Sequence, residues 1–170
     1  VLSVPNGVPQ ITIRPALPAD LPAIGRLGAL LVQTHHDFDP ARFIPATPAT
    51  PRGYANYLGT QLKEARVVIL VAERVGAVVG YVYAGLEGMD YMALRGPAGA
   101  IYDVVVDPAH RRQGVGKALL EAAVERLRDM GAPQVVLSTA AKNEDAQRLF
   151  AKAGFRATMI EMTRPGGAGP

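Results

Sequence analysis

Residues 101–130 read IYDVVVDPAHRRQGVGKALLEAAVERLRDM, and this stretch decides the fold. Its first six residues are mostly β-branched and apolar, which predicts a strand, and Asp107 and Pro108 end that strand. After Val115 apolar residues recur every three or four positions, which predicts a long amphipathic helix. A glycine-containing loop separates the two elements. This order is typical of an anion-binding site, because the first N–H groups of a helix are unpaired and lie at the positive end of its dipole.

The loop itself carries the residue types that a bulky anion requires. Glycine lets the backbone approach a ligand without a Cβ in the way, and basic side chains add full positive charges to the partial charges of the helix. We therefore expect the loop to hold a phosphate or diphosphate. The expected binding residues are Arg111, Arg112, Gln113, Gly114, Val115, Gly116 and Lys117.

Two familiar phosphate loops fail on spacing. A P-loop needs a glycine where Arg111 stands and a hydroxyl residue where Ala118 stands. A dinucleotide fingerprint needs a third glycine where Leu119 stands. The spacing therefore disfavours ATP and NAD as ligands.

The remaining pattern, Arg-x-x-Gly-x-Gly between a strand and a helix, resembles the coenzyme A loop of the GNAT superfamily of N-acetyltransferases. GNAT enzymes typically carry a second run, Asn-x-x-Ala-x-x-Leu-Tyr-x-x-x-Gly-Phe, after the next strand. Two motifs in the right order form a strong signal, and the resemblance spans residues 11–163. The second motif corresponds to Asn143, Ala146, Leu149, Phe150, Gly154 and Phe155.

Periodicity predicts the other elements and places them in the order βααβββαβαβ. Strands are expected at residues 11–14, 67–73, 77–86, 101–106, 134–139 and 155–163, and helices at 21–32, 52–64, 115–130 and after Asn143. This order indicates an α/β (α+β) fold with a GNAT-like mixed, mostly antiparallel central sheet flanked by helices. We expect one acetyltransferase domain over residues 1–170, with loose termini at 1–10 and 164–170. Residues 87–99 have no clean period and are interpreted as a functional or mobile loop.

Composition narrows the class of protein. The chain has no cysteine and a net charge of +3, and it contains no apolar run of membrane-spanning length. Its first residues lack the pattern of a signal peptide. We expect a cytoplasmic protein with no membrane or nucleic-acid partner and no metal. The pair His35-His36 is expected at a helix end, with one ring packed and one solvated, rather than at a metal site.

The resemblance implies the ligands and much of the site. Acetyl-CoA is implied as the cosubstrate and a primary amine as the acceptor. The amine is expected to attack the thioester directly while both are bound in a ternary complex. The backbone of Val104, Val105 and Val106 is expected to pair with the pantetheine arm, in the gap where the central strand and the next one diverge. Asn143 is expected to reach the pantetheine amides, and Ala146 and Phe150 complete the coenzyme-binding positions.

The catalytic groups are less determined by the sequence. Phe150 stands where many family members carry a tyrosine that protonates the leaving thiolate. Either the thiolate leaves unassisted and transfer is slower, or water, Ser138 or Thr139 takes that role. The general base is expected on the central strand, at Asp103 with Tyr102 as the reserve. Successive strand side chains alternate faces, so only one of these two is expected to face the reaction.

Three functions are open at this point. The first is an acetyl-CoA-dependent N-acetyltransferase, the second is a CoA-binding module without turnover, and the third is an acyltransferase for longer acyl chains. Phe150 is the main argument for the second. The acceptor amine is not identified by any motif. A homodimer also remains open, because family members are commonly dimers.

Overall fold

A computed structural model describes residues 10–167 and contains five strands and four helices in that range. Two short 3-10 turns, Pro18–Asp20 and Pro108–His110, accompany them. No helix in the described range is both long and apolar enough to cross a membrane. In chain order the elements are β1 (Thr12–Pro15), α1 (Leu21–Phe38), α2 (Thr50–Gln61), β2 (Val67–Arg74), β3 (Ala77–Glu87), β4 (Ala98–Val106), α3 (Val115–Asp129), β5 (Val135–Leu137) and α4 (Glu144–Lys152).

The strands form one sheet in the order β1-β2-β3-β4-β5. Every neighbouring pair is antiparallel except β4 and β5, which are parallel and are joined through α3. The expected mixed, mostly antiparallel sheet with flanking helices is therefore confirmed. The predictions of loose ends at residues 1–9 and 168–170 lie outside the described residues.

The last predicted strand is wrong. Residues 155–163 form no helix or strand, and residues 156–167 are exposed throughout. Ile160 is 85% exposed and Met162 is 90% exposed, so the loose alternation in this segment does not correspond to a buried face. A strand needs a partner for its backbone groups as well as an alternating pattern, and within the described range nothing pairs with this segment.

Helix α1 is longer than its periodic stretch predicts. The prediction ends at residue 32, but the helix continues to Phe38 and includes both His35 and His36. The spacing of Leu31, His35 and Phe38 extends the same helical face, and Asp39 with Pro40 then ends it. Both histidines therefore lie in the last turn of α1 and not in the loop that follows it.

Two hydrophobic layers hold the helices against the sheet. Helix α3 covers one face, where Leu119, Leu120, Ala123 and Leu127 are completely buried. Burying a leucine side chain contributes about 1.5–3 kcal/mol, so this stripe fixes α3 and the loop that precedes it. Helices α1 and α2 cover the opposite face. Their core consists of Ile24, Leu27, Leu58, Ile69, Val71, Tyr81, Tyr83 and Val105.

Candidate active site

The loop predicted to bind an anion lies at the surface between β4 and α3. Residues 111–114 are exposed, and Val115 below them is buried. Arg112 has a φ of 58° and Gly114 a φ of 82°, so left-handed residues recur within three positions. Such turns direct successive N–H groups into one concavity that suits an anion. Gly114 is also the N-cap of α3 and provides no side-chain cap, which leaves the first N–H groups of the helix available. The loop therefore fits a phosphate or diphosphate.

The two loop glycines differ in what they make room for. A Cβ on Gly114 would meet open space, and the left-handed φ explains why glycine suits this position. A Cβ on Gly116 would instead lie 3.4 Å from Leu149 of α4 and 3.6 Å from Val106. Both distances are ordinary van der Waals contacts, so a Cβ at Gly116 would have neighbours where one at Gly114 would have none. The expectation that the two glycines clear space for the anion stays a prediction.

The three loop cations are held differently. The Arg111 side chain donates a hydrogen bond from Nε to the carbonyl oxygen of Val106 at 3.1 Å, which ties it to the end of β4. Arg112 is exposed, and Lys117 has only Glu121, 3.7 Å away, as an exposed ion-pair partner. Exposed pairs of this kind contribute little, so Arg112 and Lys117 are available to a bound anion.

A fourth cation, Arg74, lies behind the loop and was missed by sequence reasoning, which placed it in a hairpin turn. Its residue is only 8% exposed, and one guanidinium nitrogen donates to Oε1 of Gln113 in the loop. Its Nε is buried without a hydrogen-bond partner, and among residues 10–167 no carboxylate forms an ion pair with it. A buried guanidinium without a counter-charge favours a nearby anion.

We expect Arg74→Met to weaken CoA binding about 10-fold, because a hydrogen bond to a charged group contributes about 1.5–3 kcal/mol and here it orients the loop. Isothermal titration with CoA measures the change. Arg14→Met is the matched control, since Arg14 is also a partly buried strand arginine but pairs with Asp20 and Glu73. Equal CoA affinity in Arg74→Met and the unmodified chain would contradict this role.

Strand β4 has an open backbone edge where the pantetheine arm was predicted. β5 pairs with β4 only from Gly99 to Ile101, whereas β3 pairs with it as far as Val106. The β5 side of Val104, Val105 and Val106 therefore has no strand partner in the described part of the chain. Such an edge fits an extended chain that carries amide groups.

The second motif begins at the N-cap of α4 and runs through the helix to Phe155. Oδ1 of Asn143 accepts a hydrogen bond from the Ala146 N–H at 3.2 Å and caps the helix, so Nδ2 is the atom left to contact a ligand carbonyl. Phe150 packs edge-on against Phe155, with ring centroids 6.2 Å apart, and has no proton to donate. Ser138 and Thr139 follow β5 directly, and Ser138 is exposed.

A β-bulge overturns the expectation that Tyr102 and Asp103 face opposite sides. Tyr83 pairs with Asp103 and Ala84 pairs with Ile101, which leaves Tyr102 as an extra residue in β4. The Tyr102 ring lies 4.7 Å from the Tyr83 ring, between centroids, so it shares the α1–α2 side of the sheet with Asp103. The alternation of side chains along β4 fails at this point because the extra residue of the bulge shifts it by one position.

A cavity of about 300 Å³ lies on this side, between α2 and the sheet, and we call it the tyrosine slot. Asp103 forms part of its wall and is only 9% exposed, with Oδ2 accepting a 2.9 Å hydrogen bond from the Tyr81 hydroxyl. Gly28 of α1 makes the slot possible, because a Cβ there would lie 2.3 Å from the Tyr54 ring. The slot is lined by Gly53, Tyr54, Tyr57, Leu58, Tyr83 and Asp103.

Burial tunes the two candidate bases in different ways. It raises the pKa of Asp103 to about 6, against the opposing effects of the Tyr81 hydrogen bond and the nearby His35. It also raises the pKa of Tyr102 to about 12, and the hydrogen bond that Tyr102 donates to Glu87 acts in the same direction. At pH 7 Asp103 is therefore mostly ionised and can accept a proton, whereas Tyr102 is protonated and cannot.

We expect Asp103→Asn to stabilise the fold at neutral pH. The folded pKa of about 6 lies above the unfolded value, so ionising Asp103 lowers the free energy of unfolding as pH rises from about 4 to 6. Asparagine avoids that loss, which amounts to at most about 3 kcal/mol. Urea unfolding at pH 8 and pH 5 should show a gain that shrinks at the lower pH. A gain of the same size at both values would contradict it.

The paired histidines do not converge on one point. Nδ1 of His35 is hydrogen-bonded to the Leu31 carbonyl at 2.9 Å, and Nδ1 of His36 to the Phe43 carbonyl at 2.8 Å. Both rings are half-buried, which corrects the expectation that one would be solvated. No group of three or more potential metal ligands occurs within residues 10–167.

Comparison with known proteins agrees with this geometry. The model of the acetyltransferase (GNAT) family matches residues 31–155. The chain therefore belongs to the GNAT family of acetyltransferases. The expectation drawn from the two motifs is confirmed at the level of the family.

Individual relatives differ in how much they share with the chain. An N-alpha-acetyltransferase of Sulfurisphaera tokodaii is 30% identical over 118 residues, covering 66% of this chain and 71% of that protein. A mycothiol acetyltransferase of Thermobispora bispora is 38% identical over 96 residues, covering 54% of this chain and 31% of that protein. The chain thus spans less than a third of the length of this second relative. An aminoglycoside N-acetyltransferase solved in complex with CoA superimposes with a TM-score of 0.70 at 19% identity, covering 97% and 100% of the two chains, which shows the shared fold.

Proposed function

We propose that this protein is an N-acetyltransferase that moves an acetyl group from acetyl-CoA to a primary amine by direct attack in a ternary complex. One observation carries the proposal. Strand β4 has an open backbone edge at Val104, Val105 and Val106, and the same strand places the Asp103 carboxylate in the wall of the tyrosine slot. The coenzyme can therefore bind along the backbone edge of β4 while the amine binds in the slot on one face of the same strand.

The chain offers a distinct group to each part of the coenzyme. The exposed loop and the first turn of α3 suit the diphosphate, and the open edge of β4 suits the pantetheine amides. Nδ2 of Asn143, whose Oδ1 caps α4, is left to contact a pantetheine carbonyl. Bound acetyl-CoA supplies an activated thioester, whose C–S bond is replaced by an N–C bond while CoA leaves as the thiol. The relatives named as acetyltransferases support acetyl as the transferred group, and the neighbour solved in complex with CoA supports the coenzyme.

Asp103 is the group that we assign to the acceptor proton. An alkyl ammonium with a pKa near 10.4 is about three pH units from neutrality at pH 7, which corresponds to ~4 kcal/mol of free energy. A mostly apolar slot lowers the pKa of a bound ammonium, and burial has already raised that of Asp103. The two values approach one another, so proton transfer from the amine nitrogen to the carboxylate becomes less unfavourable.

A panel of amines tests the proposal and separates it from a CoA-binding module. The protein is incubated with acetyl-CoA and each amine, and the free thiol is followed with a thiol-reactive dye. Amine-dependent thiol release is the expected result. Tight binding of CoA with no thiol release for any amine would favour the module, whose structural support is that Phe150 cannot donate a proton and packs against Phe155.

A further inference from the structure

We infer that the amine accepted in the tyrosine slot is a small monoamine with a flat apolar body, such as an arylalkylamine. The inference rests on the proposed function and narrows its acceptor. It follows from three properties of the slot: the polarity of its walls, the number of charges in its lining, and its size.

The tyrosine hydroxyls of the slot largely satisfy one another. The Tyr57 and Tyr83 hydroxyls are 3.1 Å apart, and the Tyr83 hydroxyl also donates to Oε1 of Gln61 at 3.3 Å. Their rings meet edge to face, with centroids 6.2 Å apart. Burial raises the pKa of Tyr54, so its hydroxyl is also neutral. A ligand therefore meets mostly apolar, aromatic walls, which favour flat apolar groups and attract an ammonium.

The lining carries a single charge. Asp103 is the only charged residue among those that line the slot, so the slot suits one ammonium group. Glu87, which accepts the hydrogen bond of Tyr102, does not line the slot and already pairs with Arg95. The lining residues therefore offer no second carboxylate to a polyamine or an aminoglycoside. An amino acid would bring a carboxylate towards Asp103 with no lining cation to balance it, which is unfavourable in a low-dielectric site.

The slot is also small. Its volume of about 300 Å³ lies at the lower limit for ligand pockets, which run from about 300 to 1,000 Å³. Gly53 lines this space, and a Cβ there would meet no other atom within 4 Å. A compact body with one aromatic ring matches this room better than a saccharide of several rings.

Competition between amines of different chemistry tests the inference with the unmodified protein. The value of kcat/KM is measured for 2-phenylethylamine, phenylalanine, spermidine, kanamycin and a tripeptide with a free N-terminus. Phenylethylamine should exceed phenylalanine by about 10²-fold, since the two share a body and differ in the carboxylate. It should exceed the other three by at least about 10-fold, because only its ring gains the aromatic walls. Preference for any of those four would overturn the inference.

A bulkier residue in the lining of the slot provides a second test of the inference. Gly53→Leu is expected to lower kcat/KM for phenylethylamine at least about 10-fold and to leave KM for acetyl-CoA unchanged, because Gly53 lines the slot and is not part of the β4 edge. Arg52→Leu is the matched control on the same helix, exposed and outside the lining. Equal activity in the two variants would place the acceptor elsewhere. If no amine caused thiol release, the proposed function itself would be refuted, whereas release that favours another amine refutes this inference alone.

Discussion

Asp103→Asn is expected to lower kcat/KM for the acceptor amine by about 10²–10³-fold and to leave KM for acetyl-CoA unchanged. Positioned general bases contribute about 10²–10⁴-fold, and asparagine keeps the shape and the hydrogen bond from Tyr81 but cannot accept a proton. Because the two side chains are nearly isosteric and the variant is expected to be at least as stable, a loss of activity reports chemistry rather than unfolding. Steady-state kinetics over pH 5 to 9 measure both effects.

The dependence of kcat/KM on pH tests the assignment of Asp103 more specifically than the loss of activity does. Asp103 is active when ionised, so kcat/KM should rise with pH through an apparent pKa near 6 and fall away below it. Tyr81→Phe removes a hydrogen bond that holds that pKa down, and it should therefore move this limb to higher pH while the plateau persists. Neither Asp103→Asn nor any change outside the site should reproduce that shift.

The ionisable groups around Asp103 determine which control variant the pH profile needs. Tyr81 and Tyr83 face it from β3, Tyr54 from α2 and His35 from α1. Burial raises the pKa of the three tyrosines, so they stay neutral over the measured range. His35 also acts on the charge of Asp103, and His35→Gln therefore tests whether the limb depends on that residue. A limb that persists in Asp103→Asn and vanishes in His35→Gln would exclude Asp103 as the base.

The parts of the fold that were predictable from the sequence are those that depend on short, local sequence patterns. The helix-forming stripe that includes Leu119, Ala123 and Leu127, the hairpin of β2 and β3, and the capping Asn143 each depend on residues close together in the chain. The same holds for the anion loop, because a strand, glycines and a helix start supply it within one short run. Elements of this kind need little tertiary information.

The features that could not be predicted depend on long-range packing. The tyrosine slot brings α2 against β3 and β4, and its assembly requires Gly28 of α1 to admit the Tyr54 ring. Tyr81 and Tyr83 are two positions apart in β3, so strand alternation alone puts them on one face of the sheet, but it does not show which helix covers that face. Tyr102 was misplaced because a bulge is a property of the register between two strands, which neither strand reveals alone.

Gly114→Asp is expected to weaken CoA binding by about 10²-fold or more. Gly114 has a φ of 82° and caps α3, so an aspartate there strains the backbone and places a negative charge where the helix dipole and the loop favour an anion. Isothermal titration with CoA should show the loss. Titration with pantetheine, which lacks the diphosphate, should show no comparable change, because its amides would contact the edge of β4 instead.

Gly131→Asp is the matched control for this substitution. Gly131 has a φ of 90° just beyond the other end of α3, and a Cβ there would also meet open space. The two variants therefore share the added charge and the backbone strain, but they lie beyond opposite ends of a helix of 15 residues, which is about 22 Å long. If both lost CoA affinity equally, the loss would reflect strain in α3. If only Gly114→Asp loses it, the loop at the start of α3 is where the diphosphate binds, and β4 is left to align the thioester with the amine in the tyrosine slot.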